Sequence, residues 1–377
     1  MLDPDTAESK RRRPYRIGFV IEQALGHHTH ALNLRQTVPE DSEVHAEFGL
    51  VPWSVRGAAR LIPVYRSNWT LRAGLRARRL LRGMQRAAPL DALVIHTQVP
   101  AVLALDWLRR VPTLVSLDAT PIQYDELGTA YGHGAGPAWL EHLKWRLNRA
   151  VFQRARHVVA WSQWARAGVV EGYAVAPERV SVIPPGVPTA NWTRPAPRGQ
   201  TDAPIRVLFV GGDAERKGGL LLLEACRRLR LQLPLELDLV TRSRVAEEPG
   251  VRVHGGIQAN SSELRELYHR ADIFCLPTGG DCLPLVLAEA AASGLPLVAT
   301  ALAGIPEIVR PGDTGLLVER GDLTSLVDAL KRLALDRELR LAMGARARAL
   351  AVSEHDCATN ARRLLALVKR IAAASVS

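Results

Sequence analysis

Two short segments carry residues whose types and spacing could do chemistry on an anionic ligand. After an apolar run ending at Val210 comes Gly211-Gly212-Asp213-Ala214-Glu215-Arg216-Lys217-Gly218-Gly219, followed by the apolar stretch LLLLEACRRL. A strand, a glycine loop and a helix in that order form a phosphate-binding geometry. Cations at a helix start are opposed by the macrodipole unless an anion lies between them, so Arg216 and Lys217 need a partner there. A pyrophosphate would supply it; two solvated loop charges are the plainer alternative. The loop is not a Walker motif, because Gly-x-x-x-x-Gly-Lys-Ser/Thr is absent.

The second segment runs Thr278-Gly279-Gly280-Asp281-Cys282-Leu283-Pro284-Leu285-Val286-Leu287-Ala288-Glu289-Ala290 and on to Gly294. Pro284 suits a first helical position and Gly294 a helix end, which predicts a helix of about three turns. On it Glu289 is the only charged residue among Leu, Val and Ala. Burying a carboxylate is costly unless it accepts hydrogen bonds, and the paired hydroxyls of a ribose would provide them; a structural ion pair is the other reading. Asp281 precedes the helix beside backbone N–H groups that suit an anionic or polyhydroxyl ligand. A third candidate, Glu22-Gln23-Ala24-Leu25-Gly26-His27-His28-Thr29-His30, invites a metal reading through its histidines. A flexible-loop placement with no nearby Cys or acidic partner argues against it.

These residues need a scaffold, and the pattern around them predicts one. Short Val/Ile-rich runs at RIGFVIE, ALVIHT, PTLVSL and HVVAW read as buried parallel strands, separated by helical stretches such as Leu140 to Arg156. The Pro-rich segment 182–204 then interrupts the pattern, and IRVLFVG, LELDLV, DIFCLP, PLVAT and GLLV resume it. Two Rossmann-like domains follow, over 1–187 and 205–357, with 188–204 as linker and 358–377 as a helix reaching across the junction. The 377 residues, 47% of them hydrophobic, can supply both cores. Four cysteines without metal-ligand spacing, and a start lacking an apolar leader, predict a cytoplasmic protein with free thiols.

With those elements in place, the residues resemble glycosyltransferase family 4. Asp281 to Glu289 is similar to that family's E-x7-E element, with Asp in the first acidic position. VIPPGV, the GG-to-RKGG loop and GLPLVATALAGIPEIV match its other landmarks in order. The resemblance implies the α/β GT-B fold, with two parallel sheets facing a central cleft. It implies that Arg216 and Lys217 hold a donor pyrophosphate and that Glu289 holds the ribose. Asp281 and the backbone of Cys282, Leu283, Pro284 and Leu285 would face the donor sugar, with Gly211, Gly212, Gly304 and Ile305 near the phosphates. His254, Gly255, Gly256 and Ile257 would border the base. On the acceptor side it implies a closing loop with Gly26, His27 and His28. Where relatives often carry a histidine after the fourth strand, this chain has Asp118, which could contact a sugar hydroxyl or cap a helix. Many relatives also place an arginine directly after the first loop glycine, whereas here Gly212-Asp213 follow.

The implied activity is retaining transfer of a sugar from a nucleotide-diphosphate donor to a saccharide, lipid or other hydroxyl acceptor. Catalysis would be mainly electrostatic, with no cofactor and no metal. Asp3-Pro4-Asp5 resembles a metal-binding Asp-x-Asp but lies in a polar tail. A nucleotide-sugar hydrolase or epimerase, and a non-catalytic polyanion- or membrane-binding scaffold, are the competing readings.

Charge adds one expectation about partners. The net charge is +11, most of it in the first half, and Arg66 to Arg86 holds seven arginines and no acid. Wound as a helix, Arg72, Arg76, Arg79, Arg82 and Arg86 fall on one side with Leu71 and Leu75, while Trp69, Ala73, Ala77, Leu80 and Met84 face the core. Such a face fits an anionic membrane or, equally, solvent; nucleic acid is not expected.

Overall fold

The apolar runs form the strands expected of them. The computed structural model describes residues 13–24, 26–55, 57, 61–128, 136–195 and 203–374. Asp3-Pro4-Asp5, Leu25 and residues 196–202 of the linker lie outside these.

The first sheet contains β1 (Tyr15–Gln23), β2 (Val44–Pro52), β3 (Ala92–His96), β4 (Thr113–Leu117), β5 (His157–Ala160) and β6 (Val180–Val182). Its spatial order is β2-β1-β3-β4-β5-β6, with every pairing parallel. The second sheet contains β7 (Ile205–Val210), β8 (Leu235–Val240), β9 (Val251–His254), β10 (Ile273–Leu276), β11 (Leu297–Thr300) and β12 (Gly315–Val318). Its order, β12-β11-β10-β7-β8-β9, is again all parallel. Parallel sheets bury both faces, which is why β3, β4, β5 and β10 are buried throughout. Each sheet reverses direction of growth beside its first strand, so the carboxyl ends of β1, β3, β7 and β10 open a crevice where a ligand can bind.

The chain crosses between the sheets in two stretches that lie side by side. Val187 bridges Asp356: its N–H donates to the His355 carbonyl at 2.8 Å, and Cys357 N–H donates to its own carbonyl at 3.0 Å. The Cys357–Ala373 helix then returns to the first sheet. Leu364, Leu365, Leu367 and Val368 share a core with Ile17, Phe19, Val94 and Leu114. The linker is not loose here: Trp192 is fully buried against Tyr268, at 5.0 Å between ring centroids. Cys226, Cys275, Cys282 and Cys357 are free thiols. Among the described residues no helix is long and apolar enough to cross a membrane.

The arginine-rich segment forms the Trp69–Ala87 helix, but its faces differ from the expectation at one position. Arg72 points inward, only 4% exposed, and donates to the Tyr65 carbonyl at 3.0 Å and to that of Arg66. Its guanidinium lies over Trp53 and Trp69, at 5.5 and 5.2 Å from their centroids. Two aromatic faces, and two carbonyls that both accept from Nη1, hold inward a guanidinium that periodicity alone would send to solvent. Arg76 is also engaged, donating to the Tyr65 hydroxyl and to the Pro52 and Ser54 carbonyls.

Candidate active site

The glycine loop after β7 is shaped by one close approach. Gly218 has φ +77°, and a Cβ there would lie 1.9 Å from the Pro277 carbonyl oxygen, so glycine is required on both counts. This contact brings the loop against the segment after β10, where Gly279 N–H donates to the Arg216 carbonyl at 2.8 Å. The two motifs that sequence placed separately thus become one site. Lys217 Nζ donates to Asp281 Oδ1 at 3.1 Å, Arg216 Nη1 lies 3.7 Å from the same oxygen, and Thr278 Oγ1 donates to Asp281 Oδ2 at 2.9 Å. Arg216 also donates to the Gly280 carbonyl. The anion the cations needed is therefore present within the protein as Asp281, which stands where a ligand carboxylate or phosphate could replace it.

Behind this pair lies Glu289 on the Leu285–Ala292 helix, 3% exposed. Tyr268, from the Ser262–Arg270 helix, donates its hydroxyl to Glu289 Oε2 at 2.9 Å. Burial raises the Glu289 carboxyl to about 7, against the opposing pull of the Tyr268 hydroxyl and of Lys217. Sequence reading passed over Tyr268; the signal was a phenol in the apolar stripe Leu264, Leu267, Tyr268, where a buried hydroxyl needs an acceptor.

The other donor-side residues are placed as follows. Leu283, Pro284 and Leu285 are buried, and Cys282 packs across the cleft against Ala119 and Leu127 of the first domain. Gly304 N–H donates to the Cys282 carbonyl at 3.0 Å, and a Cβ on Gly304 would stand 3.0 Å from that of Ser162. Ile305, next in the chain, is buried. His254 is tied to Asp238, with Nε2 2.7 Å from Oδ1, while Gly255 and Gly256 are exposed and Ile257 packs on the core. Gly211 is buried, and Gly212 abuts Arg242, whose guanidinium would be 2.8 Å from a Cβ at that glycine. Arg242 lies two residues past the end of β8, and the run LELDLVTRSR was its overlooked signal.

On the first domain the histidines lie in helix, not in a flexible loop: His27–Thr37 is helical from its first histidine. His28 is exposed, 2.9 Å from Gln23 Oε1, and a Cβ at Gly26 would meet nothing within 4 Å. His27 is buried between two acids, Nδ1 2.9 Å from Glu22 Oε1 and Nε2 3.2 Å from Asp118 Oδ2. Burial works against its charge, but Asp118 and Glu22 outweigh burial and lift it to about 10. The expectation that no acid lies near these histidines fails because both partners arrive from strand ends, Glu22 from β1 and Asp118 just after β4. Among the described residues no cluster suited to a metal ion occurs. Tyr124, whose hydroxyl burial pushes up, feels Cys282, Asp118, Arg216 and Glu22 together, so it stands where the two domains meet.

Glu307 locks that meeting. Its carboxylate accepts Gln163 N–H at 2.8 Å and Trp164 N–H at 3.0 Å, the free amides that open the Gln163–Tyr173 helix. Asn260 Nδ2 donates to Asn33 Oδ1 at 2.8 Å on another side of the junction.

Two Rossmann-like domains facing each other across such a cleft define the GT-B class. The chain belongs to glycosyltransferase family 4: the model described as Glycosyltransferase Family 4 matches residues 23–191, and that described as Glycosyl transferases group 1 matches residues 204–336. It is 31% identical over 206 residues to the MMP alpha-(1->4)-mannosyltransferase of Mycolicibacterium hassiacum, covering 52% of this chain and 49% of that one. It is 32% identical over 202 residues to the D-inositol 3-phosphate glycosyltransferase of Corynebacterium jeikeium, covering 47% and 48%. The matched region spans about half the length of these curated relatives. Among solved structures, sucrose-phosphate synthase from Thermosynechococcus elongatus superposes with TM-score 0.75 over 96% of this chain and 100% of that one, at 17% identity. Anabaena HepE in complex with UDP superposes with TM-score 0.70 over 94% and 100%, at 16% identity. At such identities the likeness concerns the fold.

Proposed function

We propose that the chain transfers a sugar, with retention of configuration, from a nucleoside-diphosphate donor to a hydroxyl of a saccharide or lipid acceptor. The observation that carries this reading is Asp281 held by Lys217 at 3.1 Å beside Arg216, with the buried Glu289 behind and Asp118 across the cleft. An arriving diphosphate takes over the two cations, and Asp281 is released toward the sugar hydroxyls. Glu289 accepts the ribose hydroxyls in place of solvent. The anomeric carbon–phosphate oxygen bond breaks as the bond to the acceptor oxygen forms on the same face, and the acceptor proton passes to the departing phosphate. Arg216 and Lys217 stabilise the charge that develops on that phosphate, the stage at which electrostatic preorganisation has most effect. A mannosyltransferase among the relatives and a UDP-bound structural neighbour support a nucleotide-sugar donor.

The test is a panel of UDP-, GDP- and ADP-sugars, scored for binding and turnover with the intact chain and with Lys217→Ala. Donor-dependent transfer lost in the variant supports the reading. Release of free sugar or an epimer whether or not an acceptor is present would assign a hydrolase or epimerase instead, and binding of polyanions without any nucleotide sugar would assign a scaffold.

The acceptor side of this reading includes a membrane. Arg66, Arg79, Arg82 and Arg86 are exposed, and Trp53, Leu61, Ile62, Val64 and Leu75 expose apolar surface in the same part of the first domain. Cationic and large apolar side chains together suit an anionic bilayer, where a lipid-linked acceptor would be presented to the cleft.

A further inference from the structure

The cluster around His27 is more elaborate than the proposed chemistry requires. Glu22, on β1, and Asp118, just after β4, both approach one imidazole, at 2.9 and 3.2 Å. The side chains of Glu22 and His27 are 5% and 9% exposed, whereas that of Asp118 is 22% exposed, so the row opens to the cleft at its Asp118 end alone. Glu22 Oε2 is buried with no hydrogen-bond partner among the described residues. A buried carboxylate with an unmet oxygen is costly and adds nothing to packing that a glutamine or leucine would not supply. Its proximity to the imidazole gives it a role: two carboxylates this close to each other remain ionised together only if the ring between them is charged.

The surroundings restrict that charge to His27. His96, at the end of β3, meets its ring edge-on at 4.6 Å, and His30, from the same helix, packs on His96 at 5.1 Å; burial together with the charge on His27 holds both of them neutral. Trp161 closes the layer, 4.7 Å from His96 and stacked, and donates its indole N–H to Ser116 Oγ at 3.2 Å. Beyond Asp118 the groups facing it are Tyr124 and, from the second domain, Cys282, and both of these also feel Arg216.

We infer that Glu22 and His27 are positioning residues for Asp118, holding its carboxylate ionised and fixed on the cleft wall opposite Arg216, ready to accept a hydrogen bond from a sugar hydroxyl. The inference rests on the transfer reading given above. Aspartate is too short to be steered by its own packing, and a row of alternating charge running back to β1 supplies the steering. Burial works against the Asp118 carboxylate, and His27 outweighs it and holds the acid below the ordinary carboxylate range.

Glu22→Gln tests this, since it keeps shape and removes one of the two charges that keep His27 protonated. His27 then loses its proton at lower pH, and activity that needs the imidazolium disappears as pH rises through that lower value. The alkaline limb of kcat/KM is expected to move down by about one pH unit or more, a tenfold change in the protonation equilibrium per unit. A side chain with only a packing role would lower activity equally at every pH. The imidazole of His27 is followed by NMR in the same two proteins, independently of turnover: it stays protonated at pH 9 in the intact chain and titrates below pH 9 in Glu22→Gln. Profiles that fall in parallel, or a His27 that titrates near 6.5 in the intact chain, overturn the inference. If no nucleotide sugar is turned over at all, the transfer reading fails, while the imidazole titration still decides whether the row holds its charge.

Discussion

The Tyr268 hydroxyl donates to the Glu289 carboxylate at 2.9 Å in the core of the second domain, and burial leaves that carboxyl half-protonated near neutrality. Ribose hydroxyls prefer the ionised form, so donor affinity is expected to rise with pH up to about 7 and level off above it. Titration calorimetry with a nucleoside diphosphate between pH 5.5 and 8.5 measures this. In Tyr268→Phe the opposing hydrogen bond is gone and the midpoint moves to higher pH; in Glu289→Gln the dependence is flat. A flat profile in the intact chain would separate Glu289 from the ligand.

The same group makes a stability prediction of definite sign. Its folded pKa of about 7 stands above the ordinary 4.5, so the native state holds a proton that the unfolded chain releases. Stability is therefore full below about 4.5 and falls as pH rises to about 7, by on the order of 3 kcal/mol for this group alone. Glu289→Gln is expected to lose this component, so that its Tm exceeds that of the intact chain above pH 7 while its donor affinity is lower. Thermal melts across pH 5 to 8 check both proteins together.

Lys217→Ala leaves Asp281 with Arg216 and Thr278 and removes one cation from the site of the departing phosphate. A rate loss on the order of a hundredfold is expected, with the fold intact by circular dichroism, the usual cost of one charged contact made in the transition state. Turnover within a few-fold of normal would remove Lys217 from the site.

Liposome sedimentation tests the membrane surface. Binding is expected to rise with anionic lipid and to fall when Arg79, Arg82 and Arg86 are replaced together by Ser, at about 1 kcal/mol per residue near the surface. Arg72 and Arg76 are unsuitable for this purpose, because their guanidinium groups hold the carbonyls of neighbouring segments. Binding indifferent to lipid charge, or to the triple substitution, sinks the bilayer as partner.

Glu307→Ala removes the acceptor that ties the second domain to the amides of Gln163 and Trp164. Discounted for partial exposure, the loss is about 1 kcal/mol, or roughly fivefold in the closed population. A larger radius of gyration by X-ray scattering and a weaker apparent donor affinity are the expected readouts. Unchanged values in both would show that the closed form needs no such tie.

The central strands were legible because a strand buried on both faces must be a continuous apolar run. β2 was not, since it lies at the sheet edge and alternates Glu47 and His45 with apolar residues. Gly211 through Lys217 and Asp281 through Glu289 could be found because loop chemistry and helix ends are local. What was lost is what only tertiary contact decides. The polar run at His27 gives no helical periodicity, and edge-on ring contacts with His96 and Trp161 are what seat it. Arg72 reads as an outward residue until Trp53, far away in sequence, is brought beneath it. Asp281 looked like a ligand-facing acid, and no spacing rule could show that Lys217 would take it first.

The Cys357–Ala373 helix has a consequence for how the molecule is made. Leu364 and Val368 complete the core that contains Ile17, Phe19 and Leu114, yet they are translated after the whole second sheet. A nascent chain that has emerged only as far as β6 carries the strands of the first domain with one face covered only in part, by Ala31, Leu34 and Val38. The domain begun first is thus the one finished last. Its completion waits on a contact of very long sequence separation, the kind that slows folding, and an arrest of synthesis between the two sheets leaves apolar surface of that face exposed.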